Sequence, residues 1–128
     1  MPDEKLQVLV VDDELDVGEF LSRVLKSLGH EVTAATSAPE AIQLLGARKF
    51  DLVISDWRMP GYLGSELYEQ IALNWPALLQ RFLLVTGDIY GDDISAFLDR
   101  THVPYLNKPC RAADVREAVE RVLEATRS

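Results

Sequence analysis

Five short apolar segments alternate along the chain with longer amphipathic ones. Short apolar runs that contain β-branched residues and have polar borders are typical of buried parallel strands. Pro104 lies near the start of the last run and favours an edge position for it, because proline cannot donate to a ladder of hydrogen bonds. The five predicted strands are LQVLVV (6–11), EVTAAT (31–36), DLVIS (51–55), RFLLVTG (81–87) and VPYLNK (103–108).

Between the strands, apolar residues recur with the period of an α-helix. Gly29 is placed to end the first helix, and Pro76 to stop the third. Ser37 and Glu40 have the spacing of a capping box at the start of the second. The apolar stripes of the five predicted helices lie within residues 17–28, 41–45, 67–75, 92–100 and 115–123.

The alternation of strand and helix predicts a doubly wound α/β domain, with a parallel sheet covered by helices on both faces. The chain has 128 residues, of which 48% are hydrophobic, and this length suits one core. We therefore expect a single domain over residues 1–128, with a core from about residue 6 to 124 and no output domain after it.

The net charge and the cysteine content narrow the classes of function. The formal net charge is -8, which opposes direct binding to nucleic acid. Cys110 is the lone cysteine, and no apolar stretch is long enough to span a bilayer. These features favour a cytoplasmic protein without direct membrane contact.

Polar residues that could take part in chemistry lie at the carboxyl ends of four of the predicted strands. Asp12 and Asp13 follow the first strand and Asp56 the third, and Thr86 and Lys108 lie at the ends of the fourth and fifth. The carboxyl ends of parallel strands share one edge of the sheet, where ligands bind in such folds. Each residue also has a structural interpretation: the acids as helix caps, the threonine as a strand residue and the lysine as a solvated charge.

Three carboxylates at one edge favour a divalent cation. Grouped carboxylates repel one another unless a cation neutralises them, and an all-oxygen site suits Mg²⁺ better than zinc. An aspartate beside a bound cation can attack phosphorus and form an aspartyl phosphate. Lys108 and Thr86 could then hold the phosphoryl oxygens.

Four motifs together resemble the receiver domain of two-component response regulators. They are the acidic pair in VLVVDDE, the D-x-x-M-P-x-x-x-G pattern of residues 56–64, the VTG around Thr86 and YLNKP ending at Pro109. The resemblance covers residues 8–123 and implies a flavodoxin-like fold with five helices and the strand order 2-1-3-4-5. The run from Thr86 to Pro109 also resembles receivers attached to hybrid sensor histidine kinases.

The resemblance implies a role for each matching residue. Asp56 matches the phosphoacceptor, and Lys108 matches the lysine that binds the phosphoryl group. Asp12, Asp13 and Asp56 match the metal-binding acids, and Arg58 the residue whose backbone carbonyl also meets Mg²⁺. Thr86 and Tyr105 match the switch residues. The implied partners are a sensor histidine kinase or histidine phosphotransfer protein, which donates the phosphoryl group, and a downstream protein. The face of the fourth helix, fifth strand and fifth helix would report the change to that protein.

Two features add to the family pattern or depart from it. Cys110 stands where the family usually has Phe, and we interpret it as a small apolar packing residue, with redox sensing as the alternative. Arg58 and Asp88 have opposite charges and matching offsets from Asp56 and Thr86. They suggest a salt bridge over the site, with two solvated side chains as the alternative.

Two other functions compete with phosphoacceptor signalling. A phosphatase of the haloacid dehalogenase type also pairs an aspartate with Mg²⁺ and lysine, but its nucleophile lies in a D-x-D motif, whereas Asp12-Asp13-Glu14 stands here. A receiver-like binding module that needs no phosphorylation is the other. The leading hypothesis predicts a signalling domain that catalyses only its own phosphorylation and dephosphorylation and is not otherwise an enzyme.

Overall fold

The computed structural model describes residues 5–87 and 89–126 as a five-stranded parallel sheet covered by helices on both faces. The strands are β1 (Gln7–Val11), β2 (Glu31–Ala35), β3 (Leu52–Ser55), β6 (Phe82–Thr86) and β7 (Tyr105–Asn107). A two-stranded antiparallel hairpin, β4 (Arg58–Met59) and β5 (Tyr62–Leu63), follows β3. The α-helices are α1 (Leu15–Ser27), α2 (Ala38–Ala47), α3 (Gly64–Asn74), α4 (Asp92–Thr101) and α5 (Ala112–Thr126).

The strand order is β2-β1-β3-β6-β7, with every neighbouring pair parallel. This is the order 2-1-3-4-5 when the main strands are numbered along the chain, and it confirms the doubly wound, flavodoxin-like fold. The last strand lies at the edge, as Pro104 predicts. The carboxyl ends of β1 and β3 lie side by side at the point where the winding reverses.

The sheet has an apolar core on each of its faces. Along β1, Leu9 and Val11 belong to one core, and Val8 and Val10 belong to the other. Since successive side chains point to opposite faces, both sets must be apolar when both faces are covered. This explains why the strands read as continuous apolar runs rather than as alternating ones.

The helix boundaries follow local signals in the sequence. The Ser37 hydroxyl accepts a hydrogen bond from the Glu40 N–H at 3.2 Å and so caps α2. The Glu40 carboxylate reaches back to the Thr36 N–H at 2.8 Å, one residue before the cap. Gly29 ends α1 with a φ of +96°, a conformation that favours glycine.

Two elements were not predicted from the sequence. A 3₁₀ helix, Pro76–Arg81, connects α3 to β6, and the β4–β5 hairpin connects β3 to α3. Among residues 5–87 and 89–126, we find no helix long and apolar enough to cross a membrane.

Candidate functional site

Four neighbouring strands end in polar residues at the carboxyl edge of the sheet. Asp12 follows β1, Asp56 follows β3, Thr86 is the last residue of β6 and Lys108 follows β7. Because β1, β3, β6 and β7 are consecutive in the sheet, these positions lie side by side. The structure thus brings together the residues singled out from the sequence.

The Lys108 ammonium lies at the centre of three carboxylates. Its Nζ is 3.0 Å from Asp56 Oδ2, 3.0 Å from Asp12 Oδ2 and 2.9 Å from Glu14 Oε1. Burial of the ammonium lowers its pKa, but the contacts with Glu14, Asp12 and Asp56 outweigh this effect and hold the pKa of Lys108 above its ordinary value. The lysine is therefore a fixed positive charge at neutral pH.

The Asp12 carboxylate is buried, and its two oxygens have different partners. Its Oδ1 accepts a hydrogen bond from the Glu14 N–H at 2.9 Å. Its Oδ2 is buried and, within the described residues, accepts no hydrogen bond, although Lys108 Nζ is at ion-pair distance. Burial raises the pKa of Asp12, while the Glu14 N–H and Lys108 lower it in part. This oxygen is therefore paired with the Lys108 ammonium.

Asp56 is held by both of its carboxylate oxygens. The Trp57 N–H donates to Oδ1 at 2.7 Å, and Lys108 Nζ donates to Oδ2 at 3.0 Å. The loop beyond it closes tightly, since the Gly64 N–H donates to the Trp57 carbonyl. A Cβ atom at Gly64 would lie 2.9 Å from the Asp56 carbonyl oxygen, so the close approach requires glycine.

Three carboxylates at this edge could hold a cation. Asp12, Asp13 and Asp56 each offer an oxygen, and these atoms lie within 4.8 Å of one another. Oxygen donors without sulfur or imidazole suit a hard divalent cation, and the Asp12 oxygen that accepts no hydrogen bond is a suitable ligand atom. The residues present therefore fit a divalent metal ion.

One sizeable cavity lies away from this cluster. It has a volume of about 570 Å³ and is lined by residues 45–51 and 75–78 with Arg81. These segments precede β3 and β6, which places the cavity at the opposite edge of the sheet. Cavity volume therefore does not identify the position of the acidic site.

Comparison with known proteins identifies the family. The sequence model of the response regulator receiver domain matches residues 8–120. The chain belongs to this family. It is 28% identical over 120 residues to the chemotaxis protein CheY of Pseudomonas aeruginosa, covering 93% of this chain and 97% of that protein.

Solved receiver structures agree with this assignment. The non-phosphorylated HemR receiver domain of Leptospira biflexa is 29% identical, with a TM-score of 0.83, and the match covers 97% of this chain and 98% of that one. The signal receiver domain of an HD domain-containing protein from Pseudomonas fluorescens is 28% identical, with a TM-score of 0.84, and the coverages are 95% and 97%. The chain is therefore a CheY-like receiver domain of two-component signalling.

The two predicted switch residues of this receiver domain lie on neighbouring strands. Thr86 is buried at the end of β6, whereas Tyr105 in β7 is 44% exposed. β6 and β7 pair so that Leu84 is opposite Tyr105 and Thr86 opposite Asn107. The Lys108 N–H also donates to the Thr86 carbonyl at 2.8 Å. The backbone thus links the end of β6 directly to the residue that bears the ammonium.

The remaining predicted residues are placed as follows. Arg58 is exposed and begins the β4–β5 hairpin, and the role of its carbonyl towards a metal stays a prediction. The proposed salt bridge of Arg58 depends on Asp88, which lies outside the described residues. Cys110 packs against the core beneath α5, and burial raises the pKa of its thiol. Its surroundings agree with a packing role.

Glu14 is a residue of the site that was not predicted from the sequence. Glu14 contacts Lys108 across 94 positions of the chain, and this contact lowers the pKa of the Glu14 carboxylate. The sequence places Glu14 at the sheet edge, but nothing in its pattern indicates that an exposed side chain turns back towards the fifth strand.

Proposed function

We propose that this receiver domain accepts a phosphoryl group on Asp56 from a phosphohistidine of a sensor histidine kinase or histidine phosphotransfer protein. The observation that carries the proposal is the position of the Asp56 carboxylate beside both an ammonium group and two further acids. Lys108 Nζ is 3.0 Å from its Oδ2, and oxygens of Asp12, Asp13 and Asp56 lie within 4.8 Å of one another, a span that one cation can bridge.

The chemistry follows from the charges that surround Asp56. A carboxylate oxygen attacks phosphorus, the bond from phosphorus to the histidine nitrogen breaks, and the imidazole leaves. Mg²⁺ bound to the three acids would neutralise the negative charge of the phosphoryl oxygens. Lys108 stabilises the same charge from the side of β7, and the Trp57 N–H keeps the carboxylate oriented.

The response to phosphorylation would pass through Thr86 and Tyr105. A phosphoryl group adds negative charge and acceptor oxygens at Asp56, which can attract the Thr86 hydroxyl at the end of the adjacent strand. Movement of Thr86 would leave space towards which the half-exposed Tyr105 ring can turn. The surface of α4, β7 and α5 would then bind a downstream protein differently.

The domain would act on no separate substrate. Its chemistry would consist of its own phosphorylation and dephosphorylation, in the cytoplasm, without direct contact with nucleic acid or membrane. The net charge of -8 supports a protein partner over a nucleic acid.

Mass spectrometry of the intact protein tests the proposal. We expect wild-type protein incubated with acetyl phosphate and Mg²⁺ to gain the mass of one phosphoryl group, stable in acid and lost in base, and the Asp56→Asn variant to gain none. Omission of Mg²⁺ should prevent the gain. An unchanged wild-type mass would favour the phosphorylation-independent binding module, and repeated turnover of phosphomonoesters would favour the phosphatase.

A further inference from the structure

A cavity of about 570 Å³ lies at the amino-terminal edge of the sheet, opposite the acidic cluster. Residues 45–51, at the connection from α2 to β3, line one part of it. Residues 75–78 and Arg81, at the 3₁₀ helix before β6, line the other. Cavities of this size bind small organic molecules through apolar walls that carry a few polar groups. The side chains around the cavity therefore indicate which class of molecule it fits.

The walls of the cavity are apolar and partly aromatic. Phe50 and Leu78 line it and are buried in the core on one face of the sheet. Trp75 is half-buried and packs against the same core. Aromatic rings offer flat apolar surface against which the rings of a ligand can pack. The cavity thus suits a molecule with an apolar, aromatic body.

Two arginines are held at the cavity by neutral partners. The Arg48 guanidinium donates to the Thr33 hydroxyl, and its Cζ lies 5.3 Å from the centroid of the Phe50 ring. The Arg81 Nε–H donates to the Thr126 hydroxyl at 2.9 Å. Within the described residues, neither guanidinium has a carboxylate at ion-pair distance. Each arginine is therefore fixed in position while no acid pairs with it.

Two acids near the cavity have other partners. Asp51 Oδ2 accepts a hydrogen bond from the first N–H of β1 at 2.9 Å. Glu31 lies within electrostatic range of Arg48 but forms an ion pair with Lys5 at 3.1 Å. Lys49 adds an exposed cation, so that the lining carries three positive charges and one negative charge. This excess of positive charge lies on a chain whose formal net charge is -8.

We propose that the cavity binds a small amphipathic anion. Its apolar body would pack against the ring of Trp75, and the guanidinium groups of Arg48 and Arg81 would balance the charge of its carboxylate. A guanidinium has five N–H donors, so the contacts with the threonine hydroxyls leave donors for an anion, and its planar shape matches a carboxylate. Because the cavity lies at the opposite edge from Asp56, this binding is separate from the proposed phosphorylation.

Titration with 2-naphthoate, followed by two-dimensional ¹H–¹⁵N NMR, tests the inference. We expect saturable shifts of the backbone amides of residues 45–51 and 77–81 and of the Trp75 indole N–H. The indole N–H of Trp57, which follows β3 at the other edge, should not shift. The neutral control, 2-naphthamide, has the same rings and should bind at least about fivefold more weakly, because its contacts with the arginines are not ion pairs.

Substitutions of the two arginines locate the charge that holds the ligand. Arg48→Met and Arg81→Met should each weaken naphthoate binding about two- to fivefold, the size of one partly exposed ion pair, and should affect naphthamide less. Arg81→Lys keeps the charge and should retain more affinity than Arg81→Met. Arg116→Met removes an exposed arginine from α5 and is the matched control, with unchanged affinity expected. The remaining amide signals of each variant show whether its fold is intact.

Absence of saturable shifts with naphthoate in the wild-type protein would overturn the inference, and so would shifts that cluster elsewhere. Equal affinities for naphthoate and naphthamide would also overturn it, because the arginines would then not select an anion. If the same amides shift when ligand-free protein is diluted, a second copy of the chain covers the cavity, and the inference of a small ligand is wrong.

Discussion

At the residue scale, Lys108 determines how closely the carboxylates of the site can approach one another. Three carboxylate oxygens lie within 3.0 Å of its Nζ. Like charges held this close repel strongly unless a cation separates them, and in the absence of metal the ammonium is that cation. Replacing Lys108 should therefore change the stability of the fold as well as the phosphorylation reaction.

We expect Lys108→Met to lower the free energy of unfolding at pH 7, without metal, by about 1–3 kcal/mol, because hydrogen bonds between charged groups are lost and the acids repel. Folding raises the pKa of Lys108 above 10.5. Its contribution is therefore complete below pH 10.5 and is lost as the pH rises through the higher folded value. Urea unfolding of both proteins between pH 7 and 10 should therefore give a difference in stability that does not change with pH, with Lys49→Met as the exposed control.

Replacement of Asp12 should raise the stability of the fold, whereas replacement of Lys108 should lower it. Burial raises its pKa above 3.8, so folding favours the protonated form, and this contribution is lost as the pH rises through the folded pKa. We expect Asp12→Asn, which keeps an oxygen for the Glu14 N–H, to raise the free energy of unfolding at pH 7 by about 1 kcal/mol.

The gain from Asp12→Asn should shrink as the pH falls towards 3.8, because the wild-type carboxyl is then neutral as well. Denaturant unfolding at several pH values provides the measurement, and Asp99→Asn, on the exposed side of α4, is the control. A loss of stability at pH 7 would show that the carboxylate of Asp12 stabilises the fold despite its burial.

At the scale of elements, the loop between β3 and α3 brings its own backbone against Asp56. The positions of Asp56, Trp57 and Gly64 converge there, and a Cβ at Gly64 would meet backbone atoms at 2.9 and 3.2 Å. Backbone atoms cannot turn aside as a side chain can, so the loop itself would have to move.

Gly64→Ala is therefore expected to lower the free energy of unfolding by about 1–3 kcal/mol, the usual cost of overpacking. It should also slow phosphorylation by acetyl phosphate, because the Asp56 backbone shifts. Gly46→Ala is the matched control: it lies in α2, where the added Cβ would come within 4 Å of nothing beyond its chain neighbours and its own helix backbone, and it should be neutral or stabilising. Equal stability of the two variants would refute the argument from close approach.

The sequence predicts these elements to different degrees. The main strands and α-helices follow from apolar patterns that extend over several residues. The β4–β5 hairpin has two residues in each strand, too few for any period to be visible. The Glu14–Lys108 contact depends on the direction of an exposed side chain, which apolar patterning does not encode.

At the scale of the whole molecule, the fold brings residues that are distant in the sequence to one edge. Asp12, Asp56 and Lys108 could be assigned to this edge from sequence because each lies at or just after the end of a predicted strand. Their hydrogen bonds, and the different partners of the two Asp12 carboxylate oxygens, could not be predicted from the sequence and are visible only in the structure. The connection from Asp56 to the α4–β7–α5 surface crosses β6 and β7, which pair through Thr86 and Asn107.

This connection predicts different effects for two substitutions at Thr86. After phosphorylation with acetyl phosphate, we expect hydrogen exchange of the backbone amides in β7 and α4 to change in wild type and in Thr86→Ser, which keeps the hydroxyl. Thr86→Ala should accept the phosphoryl group but show less change. An identical response of the alanine variant would exclude the hydroxyl from the switch.

The identity of the phosphorylated residue is the most direct test of the account. Borohydride reduces an acyl phosphate to a primary alcohol with loss of phosphate, which converts a phosphorylated aspartate into homoserine. After treatment with acetyl phosphate, Mg²⁺ and borohydride, peptide mass spectrometry should find homoserine in place of Asp56 and at no other aspartate. Homoserine in place of Asp12 or Asp13, or its absence from the phosphorylated protein, would contradict the central claim.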